Sequence, residues 1–267
     1  MSFSIAGKTA IVTGAAKGVG LAIGRQFIDQ GANVMFADID EQGLVDQIGE
    51  QASDSDSIRY FAGDLRERLT IANLLSATID EFDRVDILVN ASRQFEPSDP
   101  LDPDNDTIEM MLQQNLMTSL RLSQIIARRM IKQANGQDEG TAGSIVNLSS
   151  IAARRTQPQM LGYSVSCAAL DQMTRSLAVA LAPHHIRVNA VAFGSVMSAS
   201  LKTSLQDHDE YRDEIRHNTP LSRIASPGEV ADAVQYLASD GSGFVTGQVI
   251  TVDGGRTLID PVSAPVH

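Results

Sequence analysis

Short apolar runs alternate with longer amphipathic stretches from one end of the chain to the other. Thr9-Ala-Ile-Val-Thr13 is evenly apolar and bounded by turn residues, which reads as a strand buried on both faces. By the same pattern, strands are expected over 33–37, 58–62, 86–90, 144–148, 186–192 and 248–252. The 3.6-residue period predicts helices over 19–30, 41–51, 66–82, 106–132, 162–181 and 227–238. Strands that alternate with helices of this length call for βαβ units, and so for a parallel sheet with helices on both faces. The polar stretch 133–143 reads as a surface loop. Residues 197–220, polar and helical in character, interrupt the rhythm before the last helix. No Pro- or Ser-rich linker and no internal repeat divides the chain. The expectation is a single α/β domain over 1–267, a doubly wound parallel sheet with one helical insertion.

Composition narrows the partners. A chain of 267 residues with 43% hydrophobic content can bury one large core. Its 21 basic and 33 acidic residues sum to −12, a charge that repels nucleic-acid phosphates and anionic lipid, so neither nucleic acid nor membrane is expected as a partner. No run approaches 18 apolar residues, and residues 1–8 lack the basic and apolar regions of a signal peptide, which predicts a cytoplasmic protein. The single cysteine, Cys167, can form neither an intrachain disulfide nor a thiolate zinc site. His208 and His217 have no companions at ligand spacing, so no metal is assigned.

The candidate chemistry begins in the turn Thr13-Gly-Ala-Ala-Lys-Gly-Val-Gly20 between the first strand and first helix. Glycines there allow a tight turn and close backbone approach, and the helix N-terminus offers free N–H groups to a pyrophosphate. Gly14, Lys17, Gly18, Val19 and Gly20 are therefore cofactor-binding candidates. Asp38 ends the second strand, 18 residues after Gly20. A carboxylate there accepts hydrogen bonds from the adenosine ribose hydroxyls and repels a 2′-phosphate. Lys17 points the other way, but with Ile39 beside Asp38 the carboxylate is expected to prevail, favouring NAD over NADP.

With these residues the chain resembles the short-chain dehydrogenase/reductase family from about Gly7 to Gly255. The motif Thr-Gly-x-x-x-Gly-x-Gly over 13–20 is similar to that family's cofactor signature. Asp64 and Leu65 match the position that holds the adenine. Asn115, Ser150 and Tyr163, the last two 13 positions apart, match its catalytic residues. Arg187-Val-Asn-Ala-Val and Thr251-Val-Asp-Gly-Gly255 match its late strands. The resemblance implies a Rossmann fold, a nicotinamide cofactor contacted also by Asn90, Ala91, Tyr163, Gly194 and Val196, and a homo-oligomer, dimer or tetramer. The apolar positions Met110, Met111, Leu116, Leu120, Leu170, Met173 and Leu177 fit such an interface.

Three positions depart from that pattern. Asn90-Ala-Ser-Arg93 stands where the family has Asn-Asn-Ala-Gly, and Phe193-Gly194 where it has Pro-Gly. Its Tyr-x-x-x-Lys is here Tyr163-Ser-Val-Ser-Cys167. A free phenol with a pKa of about 10 is a poor base near neutrality, so a cation beside it matters. A thiol brings no such charge. Arg93, Arg154, Arg155 and Lys202 are the candidates to replace it. Cys167 itself reads as a packed thiol, since it has no neighbouring base. The reading is an NAD-dependent oxidoreductase acting on a secondary alcohol or ketone. The alternative is a dinucleotide-binding relative with little turnover, acting as a subunit or regulatory partner. The small-molecule substrate would be selected by residues 151–161 and 197–220, with Arg154 and Arg155 hinting at an anion.

Overall fold

A computed structural model describes residues 3–102, 104, 106–134, 140–197, 201, 205 and 209–260. The apolar runs form seven strands: β1 (Thr9–Thr13), β2 (Asn33–Asp38), β3 (Ile58–Ala62), β4 (Ile87–Asn90), β5 (Gly143–Ser150), β6 (Ile186–Phe193) and β7 (Val249–Val252). All pair in parallel in the order β3-β2-β1-β4-β5-β6-β7. Burial explains their composition: β1, β4, β5 and β6 are buried at every position, as a sheet covered on both faces requires.

One face packs α1 (Gly18–Asp29), α2 (residues 41–54) and α7 (Pro227–Ala238) around Val12, Phe27, Phe36, Val191 and Val234. The other face packs α3 (Arg68–Phe82), α4 (residues 108–133) and α5 (Leu161–Leu181) around Ile11, Leu74, Leu88, Ile126, Ile145 and Val188. The strand order reverses between β1 and β4. The loops leaving their C-terminal ends diverge, which opens a crevice there.

The expected insertion leaves β6 and returns beside it. Val196 bridges Ala225, and the Met197 N–H donates to the Ala225 carbonyl at 2.9 Å. Within it, Asp209–His217 forms α6. Its positions 198–200, 202–204 and 206–208, including Lys202 and His208, lie outside the described residues.

The long helix expected over 106–132 starts at Ile108 and contains a wider π turn at Leu112–Met117. The extra residue in that turn swings Asn115 inward, where it is 4% exposed, instead of continuing the regular surface stripe. Two further boundaries extend by one or two residues with chemical consequences. β2 includes Asp38, and β5 runs on to Ser150, so both polar residues sit at the crevice end of rigid strands.

Candidate active site

The crevice is a cleft of about 640 Å³. Of the residues expected to hold a cofactor, Gly14, Lys17, Val19, Gly20, Asp38, Asp64, Leu65, Ala91, Gly194 and Val196 line it. Gly18, Asn90 and Tyr163 do not appear on its wall. Gly18 serves the turn, with φ of +61°. Asn90 is buried beneath the wall, its Nδ2 donating to Ser123 Oγ at 3.1 Å and to Asn147 Oδ1 at 2.8 Å. Tyr163 lies deeper, only 5% exposed.

The loops at the head of the cleft are locked together by Thr13. Its Oγ1 accepts from the N–H of Ala91 at 3.0 Å and of Ser92 at 3.1 Å. Gly14, with φ of +64°, lies so close to that loop that a Cβ would meet the Ala91 carbonyl oxygen at 2.7 Å. Lys17 is the N-cap of α1, in extended backbone. No side chain caps the first-turn amides, and the first turn carries no carboxylate. A helix start of this kind, facing a cleft, suits a pyrophosphate. Asp38 Oδ2 accepts from the Ala16 N–H at 3.0 Å and Oδ1 from the Asp40 N–H at 3.1 Å. That fixes the carboxylate at the wall with lone pairs left for a ribose diol. The residues present therefore fit a nicotinamide dinucleotide.

Asp64 is engaged by a residue the sequence reading passed over. Arg66 donates from Nε to Oδ1 at 2.9 Å and from Nη2 to Oδ2 at 2.6 Å. This pairing holds the Asp64 carboxyl below the usual carboxylate range. Arg66, Gln94, Gln114 and Ser195 also line the wall. Their only sequence signal was adjacency to motif residues.

At the inner end, β5 delivers Ser150, and α5 delivers Tyr163 and Cys167 on one face, four residues apart. The Tyr163 hydroxyl lies close enough to Ser150 and Cys167 for both to bear on its titration. Ser150 Oγ also accepts from the Ala152 N–H at 3.2 Å. Asn115 acts as a clamp: Oδ1 accepts from the Gln94 N–H at 2.8 Å, and Nδ2 donates to the Gln94 carbonyl at 3.0 Å and to Ser166 Oγ at 3.1 Å. Ser166 Oγ in turn donates to the Tyr163 carbonyl at 2.8 Å. Asn115 thus ties the loop after β4 to the helix that carries the tyrosine.

Burial pushes the Tyr163 phenol above its ordinary value, opposed chiefly by the positive charge of Arg93. Cys167 is 3% exposed among Met111, Ala152 and Tyr163, and burial pushes its thiol up as well. It is the packed thiol that the sequence suggested. Asp171, one turn further along α5 and 4% exposed, is raised by the same desolvation.

Of the candidate replacement cations, Arg93 enters the site. Its Cζ lies 4.1 Å from the centre of the Phe193 ring and 5.9 Å from that of Tyr163. Arg154 and Arg155 turn elsewhere, Arg154 to Thr251 Oγ1 at 3.2 Å and Arg155 to the Thr257 carbonyl. Arg154 lines a second cavity beside β7, which shares Ser195 with the first.

A family model described as enoyl-(acyl carrier protein) reductase matches residues 14–257. The chain is 31% identical over 254 residues to the 3-oxoacyl-[acyl-carrier-protein] reductase FabG of Thermotoga maritima, covering 94% of this chain and 98% of that protein. Among solved structures, that of gox2181 superposes with a TM-score of 0.88 at 29% identity, covering 96% of this chain and 98% of the other. A 7α-hydroxysteroid dehydrogenase complexed with NADH and 7-oxoglycochenodeoxycholic acid superposes with a TM-score of 0.85 at 30% identity, covering 95% and 96%.

Proposed function

The chain belongs to the short-chain dehydrogenase/reductase family of nicotinamide-dependent oxidoreductases, and from that premise we propose that it interconverts a secondary alcohol and a ketone with NAD. The observation that carries this reading is Tyr163, buried on α5 with Ser150 at the end of β5 and the Arg93 guanidinium of the cleft wall both bearing on its phenol. When bound, the nicotinamide supplies the hydride acceptor or donor. The Ser150 hydroxyl positions the substrate oxygen by donating to it. Tyr163 moves the proton, taking it from the alcohol in oxidation and returning it to the developing alkoxide in reduction. Asn115 keeps the helix and the β4 loop in register while this happens.

NAD rather than NADP follows from Asp38, whose carboxylate is fixed by two backbone amides, whereas Lys17 is solvent-exposed at the rim. The relative solved with NADH offers precedent for that cofactor on this fold. Among the described residues no helix is long and apolar enough to cross a membrane, and we place the protein in the cytoplasm as a homo-oligomer of two or four chains.

Titration calorimetry is expected to give NAD at least about tenfold tighter binding than NADP, a difference of about 1.4 kcal/mol. Equal affinities would overturn the Asp38 argument. Hydride transfer across a panel of secondary alcohols and ketones should fall by about 10²- to 10⁴-fold in Tyr163→Phe. Undiminished turnover in that variant would sink the mechanism. The second reading, a dinucleotide-binding relative with little turnover, draws on the raised Tyr163 phenol and the thiol at position 167. It predicts NAD binding without hydride transfer to any member of the panel.

A further inference from the structure

We propose that Arg93, seated on Phe193 and the Ser149 carbonyl, is the positioning residue that supplies the positive charge for the Tyr163 acid/base group. This rests on the reading of Tyr163 given above. A cation serving a tyrosine on α5 would most simply come from the same helix, but position 167 there is a buried thiol. Arg93 reaches the same place from the loop after β4. Its Nη1 donates to the Ser149 carbonyl at 3.0 Å, and its guanidinium lies 4.1 Å from the Phe193 ring centre. A guanidinium held on an aromatic face and by a backbone carbonyl is ordered rather than free to swing into solvent.

The two side chains depart from the family pattern at separate places in the sequence, yet they form one contact. Phe193 pairs with Ser150 across β5 and β6, so the seat of Arg93 and the serine that bears on Tyr163 stand on neighbouring strand ends. The surroundings of the phenol leave Arg93 as the cation that bears on it among the described residues. Ser150 faces it from β5 and Cys167 from its own helix. Phe95 meets the Tyr163 ring edge-on at 5.4 Å, and Met111 packs from α4. Asp171 lies beyond Cys167, where Arg154 and Arg175 act on it. The Arg93 charge favours the phenolate against the desolvation that opposes it.

The test follows the phenol directly by NMR titration of protein labelled with tyrosine carrying ¹³C at Cζ. The chain has four tyrosines, and the resonance missing from Tyr163→Phe identifies the one of interest. Arg93→Met should raise the pH at which Tyr163 titrates by about one to two pH units, the effect of a charge at this range on a buried group. Arg93→Lys should recover at least half of that shift, and Phe193→Leu, which removes the seat, should raise the titration by a smaller amount. Circular dichroism checks that each variant is folded. Wild-type titration in Arg93→Met, or an equal shift in Arg93→Lys, would overturn the proposal. The measurement needs no turnover, so a wild-type protein inactive on every substrate would sink the proposed reaction while leaving this result readable. Where alcohol oxidation is measurable, the pH at which kcat/KM rises should move up in Arg93→Met along with the titration, and a stationary profile would overturn the role in catalysis.

Discussion

A lysine at position 167 would enter a space already closed by Met111, Ala152 and Tyr163, with a guanidinium close enough to act on the same groups. Cys167→Lys should therefore lose about 1–3 kcal/mol of stability through overpacking. Its hydride transfer should drop rather than rise, because the second cation is forced beside the first. Removing the first cation should relieve this. Arg93→Gly/Cys167→Lys is expected to recover at least half the lost stability and to exceed Cys167→Lys in rate. Urea unfolding of the two single variants and the double variant checks the coupling, and additive losses would place the two positions out of contact. At this scale the sequence was informative about identities and silent about direction. Ser150, Tyr163 and Asn115 were legible as matches to the family pattern, the first two by their separation of 13 positions. That Arg93 would turn inward while Arg154 and Arg155 turn toward Thr251 and Thr257 depends on which aromatic face and which carbonyl the folded chain presents.

The helix that closes one face of the sheet begins with a readable start signal, Ser226-Pro-Gly-Glu229. In α7, Glu229 reaches back to accept from the Ser226 N–H at 2.8 Å and receives both Nη atoms of Arg223 at 2.6 and 2.7 Å. Chiefly through Arg223, and then through Ser226, these bonds lower the Glu229 carboxyl from 4.5 to about 2. A carboxyl whose folded pKa is depressed contributes stability above its unfolded pKa, and that contribution is lost as pH falls through the folded value. The Glu229 side chain is 37% exposed, so solvent screens much of the effect. Glu229→Gln should lower Tm by about 1–3 °C at pH 7. The difference from wild type should shrink as pH falls from about 4.5 toward about 2, because the wild-type carboxyl is then protonated. Melting curves across that range check it, and a gap that widens in acid would contradict the assignment. The π turn in α4 had no comparable signal. It brings Asn115 to both Gln94 and Ser166, partners contributed by other elements.

For the whole molecule, the interface expectation changes in detail. Met111 and Leu170 are buried within the chain, so they are not available to a second copy. Met110 remains exposed, and α5 shows Val165 and Val179, the latter 78% exposed, fourteen residues apart and so on one stripe of the helix. Light scattering should give a mass two or four times 28.6 kDa for the wild type, and Val179→Asp should lower it while leaving the circular dichroism unchanged. A monomeric wild type would remove the proposed oligomer.

The sequence by itself determined the order of strands and helices, the parallel sheet and the positions of the glycine turn, Asp38, Ser150 and Tyr163. The elements follow from periodicity, which local physics imposes wherever the segment ends up, the glycine turn and Asp38 from their places beside those elements, and Ser150 and Tyr163 from the family motif they match. Tertiary structure alone decided which polar groups meet. Asn90 turns beneath the cleft toward Asn147, and Asn115 clamps the β4 loop to α5. Arg93 finds Phe193, a hundred residues away in sequence, because β4, β5 and β6 end side by side. Such contacts rest on where separate strands end in space, and no spacing along a single strand or helix encodes that.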